Sequence, residues 1–167
     1  MLLTHPFKPF FNADSKILIL GSFPSVKSRE LGFYYQNKNN RFWRIFEKNF
    51  NEKLIFDDKN LQIKRQKDFL KRYKIALWDV FQMCFIKGSS DLSIKGAKFN
   101  DIEKLLAKSR ITHIFITGKT AYNAFIKAFD ELKSSTTYLP SSSSANANFS
   151  LEKLCEIYTQ IKISLEA

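Results

Sequence analysis

Asn40 is the first residue in this chain whose surroundings suggest chemistry. It closes the polar half of Asn37-Lys38-Asn39-Asn40-Arg41-Phe42-Trp43, a segment that turns sharply aromatic. The plain reading is a loop entering a helix whose first turn buries Phe42. An asparagine at that boundary can also orient a water through its amide oxygen. It cannot remove a proton, because an amide is not appreciably basic. Any reaction it served would need a good leaving group and only a positioned water.

Three other segments invite a chemical reading. Gly21-Ser22-Phe23-Pro24-Ser25 follows an apolar run but lacks the later glycines of a dinucleotide fingerprint, so alone it is a strand-to-loop turn. Gly118-Lys119-Thr120 has the end of a phosphate-binding P-loop. The first glycine of that motif falls on His113, inside a strand-like run, which leaves no room for the phosphate cradle. What remains is a Gly turn feeding a helix, whose N-terminus can face an anion or a base. Ser141-Ser142-Ser143-Ser144-Ala145-Asn146-Ala147-Asn148 has the composition of a linker. It stands, however, between a strand and a strong amphipathic helix, where small hydroxyl side chains and free backbone N–H groups suit a phosphate backbone. Cys84, His113 and Cys155 fall in or beside apolar runs, with no metal-site spacing.

The elements that must position these residues are legible as alternating strands and helices. Apolar runs at residues 17–20, 75–80, 113–117 and 136–139 are bounded by Gly or Pro and suit strands covered on both faces. Phe42, Ile45, Phe46 and Phe50 share a helix face starting near Arg41. Leu61, Phe69, Leu70 and Tyr73 make a weaker stripe. Ala121, Phe125, Ala128, Phe129 and Leu132 make one after Gly118. Leu151, Leu154, Cys155, Tyr158, Ile161 and Leu165 make the last, with Ser150 as N-cap. This alternation predicts an α/β fold: a single three-layer domain, residues 1–167, with a central, mainly parallel four-stranded sheet flanked by helices. Ligands of such sheets bind at the carboxyl ends of the strands. The site is therefore expected on the loops after Leu20, Val80 (beginning Phe81-Gln82-Met83-Cys84), Thr117 and Leu139.

Composition narrows the partner. The 167 residues are 44% hydrophobic with 17 Phe, enough for a substantial core. Lys and Arg number 27 against 16 Asp and Glu, a net charge of +11, which favours a polyanion such as nucleic acid. The basic stretch from Lys64 to Lys74 reads first as a solvated helix face and second as a phosphate-contacting one. Two Cys and two His cannot build a disulfide framework or a four-cysteine iron–sulfur site, and they fit a reducing cytoplasm. The start of the chain is broken by His5, Pro6 and Pro9, so it lacks the apolar core of a signal peptide, and no run approaches the roughly 20 residues that span a bilayer.

Taken in order, the motifs resemble the uracil-DNA glycosylase superfamily, and most closely its hypoxanthine-DNA (deoxyinosine) glycosylase branch. The resemblance runs through Leu18-Ile19-Leu20-Gly21-Ser22-Phe23-Pro24, Tyr34-Tyr35 and Asn40-Arg41-Phe42-Trp43. It continues through Ala76-Leu77-Trp78-Asp79-Val80, Phe115-Ile116-Thr117-Gly118-Lys119 and Leu139-Pro140-Ser141 to Ala147. It implies a monofunctional glycosylase that flips a deaminated base, hypoxanthine or uracil, and hydrolyses its N-glycosidic bond. Such an enzyme acts on damaged DNA as a monomer, away from membranes, with no metal or other cofactor. The resemblance places Gly21, Ser22, Phe23, Tyr35, Thr117 and Gly118 in the base pocket, with Tyr35 stacking on the base. It gives catalysis to Asn40, and DNA contacts to Ser141, Ser142, Ser143, Ser144 and Asn146; Arg41 and Lys119 join these as expected phosphate contacts. Phe23 stands where the mismatch-specific uracil branch has its water-positioning Asn. Ser25, Thr117 and Ser144 stand where Gly, Asn and Pro are frequent. The competing expectation is a non-catalytic nucleic-acid-binding module on the same fold.

Overall fold

A strand with no solvent-facing side has no reason to alternate, and Ile17-Leu18-Ile19-Leu20 shows the consequence: every residue is buried. The computed structural model describes residues 1–167. In chain order the strands are β1 (Leu2–Thr4), β2 (Ile17–Gly21), β3 (Ile75–Asp79), β4 (Phe81–Phe85), β5 (Lys95–Phe99), β6 (His113–Thr117) and β7 (Thr136–Leu139). The helices are α1 (Val26–Leu31), α2 (Phe42–Phe50), α3 (Lys59–Tyr73), α4 (Ile102–Ala107), α5 (Lys119–Ala128) and α6 (Leu151–Glu166).

The four expected strands form one wholly parallel sheet in the order β3-β2-β6-β7. One face carries a core of Ile17, Ile19, Phe42, Phe46, Phe69 and Tyr158, which packs α2, α3 and α6 against the sheet. The other face carries Leu18, Leu20, Phe81, Ile102, Ala121 and Phe125, which packs α4, α5 and β4. Register sets the site: Gly21 lies level with Asp79 across β2–β3, and Leu20 level with Ile116 across β2–β6. The Ser150 N-cap holds, its hydroxyl accepting from Lys153 N at 3.1 Å.

Three expectations need correction. Phe81-Gln82-Met83-Cys84 is not a loop but β4, the middle strand of an antiparallel sheet ordered β1-β4-β5. Its exposure breaks strict alternation, with Phe81 and Cys84 inward and Gln82 and Phe85 outward, because the β4–β5 register shifts between Phe81 and Phe85. The helix after Gly118 stops at Ala128; Phe129 stacks back on Phe125, and a 3-10 turn at Asp130–Ser135 carries Leu132. In α3 the buried face includes Gln62 and Gln66, while Leu61 is exposed. These glutamines are buried because they hold a loop. Gln36 Nε2 donates to Gln66 Oε1 at 2.7 Å and to Tyr34 O at 2.8 Å, and Gln62 Nε2 donates to Gln36 Oε1 at 2.9 Å. No helix is long and apolar enough to cross a membrane.

Candidate active site

The carboxyl ends of β2, β3 and β6 meet at Gly21. A Cβ placed there would stand 2.7 Å from Asp79 Oδ1, 3.1 Å from Tyr35 Oη and 3.9 Å from Thr117 Oγ1. Only a glycine leaves this corner open. Tyr35 reaches it in a left-handed backbone conformation (φ 56°), which is costly for a bulky residue. The buried glutamines grip the residues on either side of Tyr35 in sequence. Phe42 covers one face of its ring, with centroids 3.7 Å apart and planes 7° from parallel. Burial, and next the Asp79 charge, push the Tyr35 phenol well above its usual range, so it remains a neutral donor. Its hydroxyl is buried with no hydrogen-bond partner. Thr117 is buried, its hydroxyl 3.4 Å from Leu20 O.

Beside Gly21, the Ser22 hydroxyl donates to Asp91 Oδ1 at 2.6 Å. Asp91 comes from the β4–β5 connection, and its Oδ2 lies 4.0 Å from where Gly118 would carry a Cβ. It therefore spans the two loops, and burial raises its carboxyl above the ordinary range. Phe23 is buried in the core on the α5 side and touches His5 edge-on at 5.8 Å. Gly118 (φ 90°) turns the chain into α5, whose exposed first residue is Lys119.

Asn40 is tied down by its oxygen. Oδ1 accepts from Phe42 N at 2.9 Å and from Ser142 Oγ at 2.8 Å. The Phe42 N–H can only donate, so the amide orientation is fixed: oxygen inward, NH₂ the free end. The expected water-holding oxygen is thus already committed, and the group left to meet a ligand is a donor.

The serine-rich segment is not a linker. Ser142 is buried, and its carbonyl accepts from Arg41 N at 3.0 Å and Arg41 Nε at 3.3 Å. The rest of the Arg41 guanidinium donates to Phe149 O, to Ser143 O at 2.8 Å and to Asn146 O at 3.0 Å. Tyr158, from α6, fixes the start of the loop by donating to Pro140 O at 2.6 Å. Ser141 and Ser143 accept from Ser143 N and Ala145 N, and Asn146 Nδ2 donates to Ser141 O. Arg41, expected on phosphates, thus holds a cage of carbonyls, and Ser142, expected on DNA, faces Asn40. Ser144 is exposed.

Sequence reasoning passed over Asp79, Asp91 and His5. The signal for Asp79 was a carboxylate ending an otherwise apolar strand, since a charge there is retained only with a partner. That partner is His5, whose Nε2 lies 2.7 Å from Asp79 Oδ2. Asp91 gives no signal in the sequence, because its position depends on the antiparallel pairing of β4 with β5, which apolar periodicity does not reveal. No group of three His, Cys, Asp or Glu side chains is placed to hold a metal.

The crowding at Gly21 gives a direct test. Asp79 is pinned by His5, so its oxygen cannot simply swing away from an added methyl. Gly21→Ala is expected to cost about 1–3 kcal/mol, the usual range for overpacking. Urea denaturation would measure it.

Comparison with known proteins matches residues 8–162 to the uracil DNA glycosylase superfamily. A protein of Methanosarcina acetivorans named hypoxanthine DNA glycosylase is 31% identical over 160 residues, covering 93% of this chain and 96% of the relative. A protein of the same name from Methanosarcina barkeri is 32% identical over 143 residues, covering 84% and 86%. The solution NMR structure of a candidate uracil DNA glycosylase from M. acetivorans superposes with a TM-score of 0.77 at 29% identity, covering all of both chains.

Proposed function

The chain belongs to the uracil DNA glycosylase superfamily, and from that premise we propose that it is a monofunctional DNA glycosylase that releases hypoxanthine, and also uracil, in base excision repair. One observation carries the reading. The Asn40 amide and the Ser142 hydroxyl, 102 residues apart, meet at 2.8 Å. That bond joins the loop expected to serve chemistry to the loop expected to lie on DNA, at the carboxyl edge of the sheet.

A base inside a duplex cannot reach this corner, so the enzyme extrudes it, most cheaply from a weakened or mismatched pair. The base enters beside Gly21, Ser22, Thr117 and Gly118 and stacks on the Tyr35 ring face that Phe42 does not cover. Cleavage develops positive charge on the sugar, as in glycoside hydrolysis, and negative charge on the base. Backbone N–H groups at the α5 N-terminus are suited to that negative charge. The free NH₂ of Asn40 donates to the attacking water and leaves a lone pair for the sugar carbon. Ser143, Ser144, Asn146 and Lys119 meet the DNA backbone, and the net charge of +11 adds non-specific affinity. The protein acts as a monomer in this reading, and its two unpaired cysteines fit a reducing cytoplasm.

The test uses labelled duplexes bearing one hypoxanthine or one uracil. Strand cutting that requires alkali after enzyme treatment is the expected result. DNA binding with no base release from either duplex would leave only the non-catalytic module.

A further inference from the structure

Leu92 stands in solvent, 93% exposed, whereas the next most exposed large apolar side chain inside the chain, Ile163, reaches 64%. A single exposed leucine ordinarily needs no explanation. Its position sets this one apart. It sits in the 3-10 turn Asp91–Ser93 of the β4–β5 connection. The residue before it reaches inward. Asp91 Oδ1 accepts from the buried Ser22 hydroxyl at 2.6 Å, and its Oδ2 lies 4.0 Å from the Cβ position of Gly118. Ser141 Cβ lies 3.7 Å from that same position, so the turn and the serine loop flank Gly118 together. The turn is firmly held. Ser93 Oγ donates to Ser90 O at 2.6 Å and accepts from Lys87 N at 2.8 Å. Ser89 Oγ accepts from Val26 N at 3.1 Å, which joins the connection to α1. Ile86 and Ile94, at its two ends, pack on the core that contains Phe23 and Ile116. Lys87 and Lys95 flank it, both exposed.

We propose that Leu92 is the wedge that enters the base stack when the damaged nucleotide leaves it. This rests on the glycosylase reading and deepens it. An extruded base leaves its former neighbours with uncovered apolar faces, and the gap closes again unless something fills it. Proteins that open a base step fill it with an apolar side chain. The serine loop cannot, because residues 141–148 are Ser, Ala and Asn alone, with nothing apolar longer than a methyl. Leu92 contributes nothing to the folded core. Its apolar surface is covered only on opened DNA, so it stabilises the extruded state selectively. The Asp91–Ser22 bond makes the wedge and the base pocket one rigid piece: the side chain that enters the stack is one residue from the carboxylate that braces Ser22. Lys87 and Lys95 are placed to meet phosphates on either side of the opened step.

The experiment uses two readouts. The first is single-turnover release of hypoxanthine from a duplex that pairs it with cytosine, and from the same strand left single. Leu92→Ala is expected to slow release from the duplex by about 10-fold or more, the factor lost when most of a leucine side chain is no longer buried. Release from the single strand has no stack to open and should stay within about 2-fold. Leu92→Met, which keeps a long apolar side chain, should stay within about 3-fold on both. The second readout is fluorescence of 2-aminopurine placed beside a 2′-fluorinated deoxyinosine, which resists cleavage because fluorine disfavours a cationic sugar. The wild type should brighten the probe on binding by breaking its stack, and Leu92→Ala should not. Thermal melting checks that the variants are folded. Unchanged duplex release in Leu92→Ala, or an equal loss on duplex and single strand, would overturn the wedge and leave the glycosylase reading standing. A wild type that brightens the probe through Leu92 but releases no base from the cleavable duplex would overturn the glycosylase reading and leave the wedge. A wild type that does neither would overturn both.

Discussion

Asn40→Ala and Asn40→Asp are both expected to lower base release by about 100-fold or more, and to differ in stability. The two substitutions separate the halves of one amide. The oxygen accepts from Phe42 N and from Ser142 Oγ, so it closes the first turn of α2 and bridges to the serine loop. Alanine removes that acceptor and leaves a helix-terminal N–H without its cap, at about 0.5–2 kcal/mol. Aspartate keeps an acceptor for both donors and should melt near the wild type. What aspartate lacks is the NH₂, the only part of Asn40 left to face a ligand. Loss of a single positioned donor in an active site costs about 2.7–4 kcal/mol of transition-state stabilisation, or 10²–10³ in rate. Single-turnover release from a hypoxanthine duplex, beside a thermal melt, checks both points. A stable Asn40→Asp variant with undiminished rate would show that the reaction needs an acceptor there and would remove the donor role.

The residues explain why some of this was legible in the sequence and some was not. All four strands of the parallel sheet were, because burial on both faces forces unbroken apolar runs such as Ile17–Leu20. Gly21, Thr117 and Gly118 followed, since a parallel sheet sends its site to the strand ends; Asn40, which lies before α2 and on no strand, came from its polar-to-aromatic segment and the resemblance. β4 was hidden because register shifts against β5 break its period, and because its other partner β1 is only three residues long at the far start of the chain. Gln36, Gln62 and Gln66 were hidden because hydrophobic periodicity does not see a polar residue that is buried by satisfying another. His5 and Asp79 are 74 positions apart, and the contact exists only once β1 has paired with β4. Arg41 was misjudged for a related reason. An arginine in a basic chain reads as a phosphate ligand until the carbonyls it serves, 101 to 108 residues away, are in view.

That reassignment makes the Arg41→Lys variant informative. The guanidinium is planar and presents five donors, and here it answers the carbonyls of Ser142, Ser143, Asn146 and Phe149 together. A lysine ammonium keeps the charge but cannot span four acceptors on different sides. Two or more carbonyls lose their donor, at about 1–3 kcal/mol each where water cannot replace it. The loop should loosen, stability should fall by about 2–4 kcal/mol, and Ser142 should no longer hold Asn40. DNA affinity and base release are therefore expected to drop together, by about 10-fold or more, although the net charge is unchanged. Salt dependence distinguishes this from loss of a phosphate contact. Removing a cation that neutralises one phosphate, as in Arg41→Met, lowers the log–log salt slope by about 0.9. If Arg41 is spent on carbonyls, Arg41→Met and Arg41→Lys should both weaken binding while leaving the slope at the wild-type value. A slope that falls by about one for methionine, with a near-normal lysine variant, would return Arg41 to the DNA-contacting face.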